Sequence, residues 1–142
     1  MAYQRILVGL DGSKPADRAF RVGCSLAQSL SARLYVLWIV NRDRGMDSSF
    51  GVNEDFYQDL YRKVTQKIKP YLEQAQEQKV EVVGKVLIGN VKTILAKEFP
   101  QEQQIDLIIL GNTGINAVEK MLQGSHSGYA VRHAPCDVLI VR

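Results

Sequence analysis

Apolar residues fall into five short runs along the chain, separated by stretches where they recur every three or four positions. Arg5-Ile6-Leu7-Val8-Gly9-Leu10 is the first run. Continuous apolar runs of this length suit strands buried on both faces. Asp11-Gly12-Ser13 stops it, Ser13 can cap a helix, and Pro15 is tolerated in a first turn. Ala16, Ala19, Phe20, Gly23, Cys24, Ala27 and Leu30 then form one helical face. Arg33 to Val40 is the second strand, and the polar stretch Asn41 to Asn53 is a loop of a length that is usually functional or disordered. Phe56, Leu60, Val64, Ile68, Leu72 and Ala75 mark a long helix over Glu54 to Gln78, with Pro70 expected to kink it.

Val80 to Ile88 reads as a third strand, weakened by Gly84. After the Gly89-Asn90 turn, a short helix covers Val91 to Phe99 and is expected to end at Pro100. Ile105 to Leu110 is the fourth strand. Two helical pieces follow, Ile115 to Leu122 and Ser125 to His133, before a last strand from Asp137 to Val141. Strands alternating with helices predict an α/β fold, an open, doubly wound parallel five-stranded sheet with helices on both faces. With no linker-like or repetitive segment, one domain over residues 1–142 is expected.

Composition agrees with a globular domain: 142 residues, 46% hydrophobic and 23% charged. The net charge is +3 and the cations are dispersed, which argues against a nucleic-acid surface. No apolar stretch approaches the roughly 20 residues that span a bilayer, and the first residues lack a signal-peptide pattern. A cytoplasmic protein without a membrane role is expected. Cys24 and Cys136 have no CxxC spacing and read as small, reduced hydrophobes, with a single disulfide as the alternative.

Open α/β sheets bind ligands beyond the carboxyl ends of their strands, where strand order reverses. In the common order 3-2-1-4-5 the reversal lies between the first and fourth strands. The segments leaving them are Asp11-Gly12-Ser13 and Gly111-Asn112-Thr113-Gly114. Gly111 and Gly114 permit a tight turn and close backbone approach. Further on, Gly124-Ser125-His126-Ser127 opens a helix in which Ser125 is the N-cap, and the capping-box position is Gly128 instead of Glu or Gln. A helix start with free amides and hydroxyls suits a phosphate. Any one of these glycines could merely end a strand or break a helix; their joint arrangement favours a site.

Gly111, two residues, Gly114, nine residues and Gly124-Ser125 resemble the nucleotide-binding signature of the universal stress proteins. The opening Arg5–Ser13 and the closing Arg132–Val141 resemble that family too, so the likeness spans the chain. The resemblance implies a Rossmann-like fold that binds ATP or a related adenine nucleotide, alone or with Mg²⁺, in a homodimer paired through strand 137–141. Carried over by position, it places Asp11 by the adenosine or ribose, Ile39 against the adenine through its backbone, and Gly89 near the ribose. Gly111, Gly114, Gly124, Ser125 and Ser127 would line ribose and phosphates, with Asn112, Thr113 and His126 in the same segments. Two positions depart from the pattern: His126 stands where a small apolar residue is usual, and Ile115-Asn116 where an arginine is frequent.

Other motifs are weak. Ser127 lacks the glycines at 125 and 129 that a GxSxG elbow needs, and no P-loop or GxGxxG occurs. His126 and His133 have no partnering metal motif, and Lys120 is more often solvated than phosphate-bound. Binding in a regulatory or stress-response role is therefore the leading expectation, with no catalytic residue and no metal ligand assigned. Slow ATP hydrolysis or phosphoryl transfer remains an alternative, as does a dimeric interaction module that makes no use of nucleotide. The 41–53 loop is expected to act as a lid or partner surface.

Overall fold

The computed structural model describes residues 2–42, 54–112 and 126–142. The expected helix over 115–122, the N-cap at Ser125 and nearly all of the 41–53 loop lie outside them. Five strands form one parallel sheet in the order β3-β2-β1-β4-β5. They are β1 (Arg5–Leu10), β2 (Arg33–Asn41), β3 (Val82–Gly89), β4 (Leu107–Gly111) and β5 (Asp137–Val141).

Alternate residues of each strand face opposite sides of the sheet, and both sides are covered. Ile6, Val8, Leu34, Val36 and Ile109 pack under α1 (Lys14–Leu30) and α2 (Glu54–Glu77). Leu7, Tyr35, Leu37, Ile108 and Leu110 face the other helical layer. That layer holds α3, built from Val91–Thr93, a π-helical Ile94–Glu98 and Phe99–Gln103, together with α4 (His126–His133). Burial on two sides explains why the strands read as unbroken apolar runs. Among the described residues no helix is long and apolar enough to cross a membrane.

Glycines set the spacing between layers. A Cβ on Gly23 of α1 would lie 2.6 Å from Val8 Cγ2, so its absence lets the helix rest directly on β1. Gly84 does not interrupt β3: the strand is continuous, and a Cβ there would lie 2.7 Å from both Leu72 methyls of α2. The glycine is a seat for the helix. Pro70 lies inside α2, which continues past it to Glu77.

Several boundaries differ from the sequence reading. Pro100 does not end α3. Phe99 N–H donates to Ile94 C=O across the wide π-turn, and the helix then runs through Pro100 to Gln103. A proline cannot donate back to the preceding turn, and a π-turn is a known way to absorb such a local mismatch. Burial of Phe99 and Pro100 favours continuing. β3 begins at Val82 rather than Val80, because Val80 N–H still closes the end of α2 on Ala75 C=O at 3.0 Å. β4 begins at Leu107, since Ile105 N–H is bound to Pro100 C=O at 2.9 Å. The helices before β2, β3 and β4 stop at left-handed residues that are not glycine: Ser31, Lys79 and Gln104.

Both cysteines are free. Cys24 belongs to the α1 side of the sheet and Cys136 to the α3 side, so the sheet separates them. Desolvation pushes each thiol up to about 11, which keeps both protonated at neutral pH.

Gly23→Val should lower the unfolding free energy by about 2 kcal/mol, as overpacking typically does. Urea denaturation with an unchanged slope would show it; equal or greater stability would mean that α1 can back away from Val8.

Candidate functional site

β1 and β4 are neighbours, and helices lie on both sides of the sheet beside them: β1 feeds α1 on one side, and α4 lies on the other. The carboxyl ends of the two strands border a cavity of about 310 Å³. This volume lies near the lower end of the range of roughly 300–1,000 Å³ common for small-molecule sites.

The β1–α1 turn forms one wall. Gly12 has φ +83°, a left-handed conformation that a side chain would strain. That turn lets Asp11 Oδ1 accept the Ser13 N–H at 2.9 Å, and Ser13 Oγ accept the Ala16 N–H at 3.3 Å. Asp11 is thus held in a fixed Asx turn at the cavity edge while Ser13 caps α1. The Trp38 ring supports the turn from below, 3.5 Å from where a Gly12 Cβ would stand. The end of β2 contributes Ile39 and Asn41.

The opposite wall is the start of α4, with His126 and the almost fully buried Ser127. Val91 and Leu95 of α3 close a third side, and Leu37 and Leu110 form much of the floor. The π-turn holds Leu95 against β1, where a Gly9 Cβ would come within 3.0 Å of its Cδ1. First turns of three helices, α1, α3 and α4, meet at this one opening. Each carries the partial positive charge of a helix start.

His126 is exposed as a residue, but partial desolvation of its ring pushes the pKa below the ordinary histidine value. The Lys92 cation pushes the same way, and the Asp11 carboxylate opposes it.

Of the residues marked in the sequence, Asp11, Ile39, Gly111, His126 and Ser127 line this cavity. Thr113, Gly114, Gly124 and Ser125 lie outside the described residues. Gly89 and Asn112 are not on the wall. Gly89 C=O accepts the Arg42 N–H at 2.8 Å, and Asn112 N–H donates to Val141 C=O at 2.7 Å. Gly111 has a packing duty that the sequence reading did not assign. A Cβ there would fall 2.3 Å from the carbonyl oxygen of Pro15, so the glycine lets α1 begin against the end of β4. Trp38, Asn41 and Leu95 were not foreseen as site residues. Trp38 and Leu95 look like ordinary core positions in an apolar run, and Asn41 was read as the first residue of a loop.

The model of the universal stress protein family matches residues 2–142. The chain belongs to the universal stress protein family. A relative from Staphylococcus haemolyticus, named as a universal stress protein, is 36% identical over 144 aligned residues, covering all of this chain and 86% of its own length. The structure of a universal stress protein from Lactobacillus plantarum is similar with a TM-score of 0.80 at 26% identity, covering 100% of this chain and 99% of that one. A universal stress protein solved in complex with cAMP has a TM-score of 0.75 at 22% identity, covering 100% and 98%. The five-stranded order 3-2-1-4-5 of this universal stress protein is the Rossmann-like arrangement expected from its sequence.

Gly111→Ala should destabilise this universal stress protein by about 1–3 kcal/mol even without ligand, because the new methyl meets backbone rather than a movable side-chain tip. Thermal unfolding of the ligand-free protein reads this. Unchanged stability would show that Gly111 has no packing role.

Proposed function

We propose that this universal stress protein binds an adenine nucleotide, ATP or a related one, in the cavity between β1 and β4, and acts by holding it rather than by catalysis. The observation that carries the reading is the meeting of three helix starts with Asp11, Ser13, Asn41, His126 and Ser127 around one opening. Helix starts favour a phosphate. The apolar floor of Leu37, Leu95 and Leu110 suits a base. Adenine is supported by the glycine signature and by the likeness to the family member solved with cAMP.

In this reading Asp11 and Ile39 hold the adenosine. Gly111, His126 and Ser127 line the ribose and phosphates, joined by Thr113, Gly114, Gly124 and Ser125 of the same motif. Asp11 is the carboxylate among the described lining residues. Magnesium commonly binds substrate phosphates, so Mg²⁺ would arrive with the nucleotide, held by its phosphates. Among the described residues no group of three or more His, Cys, Asp or Glu side chains gathers as a separate metal site.

Purified protein should release adenine nucleotide on extraction, read by chromatography, or bind ATP saturably in a titration. Absence of both, with and without Mg²⁺, would overturn the reading.

The same reading includes a homodimer through β5. This strand is an edge of the sheet, and Leu139 on it is 38% exposed. A bare apolar edge invites pairing, and a second copy running antiparallel would cover it. Sedimentation at micromolar concentration should show a dimer for the wild type and a monomer for Leu139→Lys. A monomeric wild type would count against it.

A further inference from the structure

His126 lines the cavity together with Asp11. Among the described residues, Lys92 from the first turn of α3 and Asp11 from the β1–α1 turn act on its ring. Among the described residues, other charged or titratable groups on α4 and the elements packed against it have different surroundings. Lys97 of the π-turn lies over the Tyr129 ring at 5.7 Å, and His133 stacks on the same ring with centroids 4.4 Å apart. Asp137 of β5 accepts from Tyr3 Oη at 2.6 Å, while Glu98 and Arg132 are exposed.

We infer that His126, which lines the cavity, makes its affinity for a phosphorylated ligand depend on pH, the imidazolium being a cation that faces the phosphate. The inference rests on the nucleotide-binding reading above and adds its regulation. A phosphate entering beside Asp11 brings two negative groups into one crevice. A charged His126 lining the same cavity offsets one of them. In the empty cavity, desolvation and Lys92 disfavour the charged ring, which is neutral at neutral pH. A bound phosphate reverses the sign of the local field and favours protonation. Ligand binding then takes up a proton, and by linkage protons strengthen binding. The bound-state pKa lies above the free-state one, so the gain is complete below the free-state value and fades as pH rises through the bound-state value. A nucleoside without phosphate has no such coupling.

The test uses the full chain with adenosine 3′,5′-cyclic monophosphate, whose phosphodiester charge does not change in this range, against adenosine. Calorimetry at about pH 5.5 and about pH 8 should find the cyclic nucleotide about tenfold tighter at the lower pH, the effect of one pKa unit of difference between free and bound His126. Adenosine affinity should not change, and buffers of different ionisation heat should reveal proton uptake with the cyclic nucleotide alone. His126→Gln keeps a hydrogen-bond donor but cannot charge, so its pH slope should be flat. A slope that persists in His126→Gln overturns the inference. So does equal affinity for the cyclic nucleotide at both pH values, which leaves the nucleotide reading intact. Failure of both compounds to bind at either pH overturns the inference, and the nucleotide reading falls with it when ATP also fails to bind.

Discussion

Burial of β1 on both faces is the constraint on which the rest of the molecule depends. Ile6 and Val8 point to the α1 side and Leu7 to the α3 side, all fully buried. A strand covered twice needs helices on both sides, and right-handed crossovers supply them only if strand order reverses somewhere. It reverses beside β1: strands added toward β3 put α1 and α2 on one face, and those toward β5 put α3 and α4 on the other. The cavity is the geometric consequence, because the helices beside these neighbouring strands lie on opposite faces.

That consequence couples packing to the site. Gly23 lets α1 settle on Val8, and Gly111 lets its first turn settle against the end of β4. The turn carrying Asp11 is therefore braced by the sheet, by Gly12 and by the ring of Trp38. The π-turn does the same on the other side, turning Leu95 toward Gly9 while bringing Pro100 into the helix. Rigid elements position the groups that line the opening, which limits the ordering cost of binding.

The charge pattern at the opening is mixed rather than simply cationic. Asp11 is a carboxylate on the wall, and His126 lines the same cavity, its ring acted on by both Asp11 and Lys92. A ligand that places its ribose hydroxyls toward the carboxylate and its phosphates toward the α3 and α4 starts would meet favourable partners at both ends. This polarity is a property of three separated chain segments and exists only in the folded molecule.

The sequence by itself determined the parallel sheet, its strand order and the order of the helices among the described residues. Runs such as Ile6–Leu10 and Leu107–Leu110 have no polar side to lose, and the spacing from Ala16 to Ala27 fits one helical face. It also marked Asp11 and Gly111 as small or polar residues after buried strands and His126 and Ser127 at an expected helix start, while Ile39 came from the family resemblance alone. Tertiary structure alone decided the helix ends, since Ser31, Lys79 and Gln104 carry none of the glycine signal that usually announces a left-handed stop. It decided that α3 passes through Pro100 and that Gly84 seats Leu72, because both depend on contacts with distant residues. It also gave Gly111 its neighbour in Pro15 and His126 its neighbours in Lys92 and Asp11. Spacing along a chain records local periodicity, whereas these partners are set by which faces the sheet brings together.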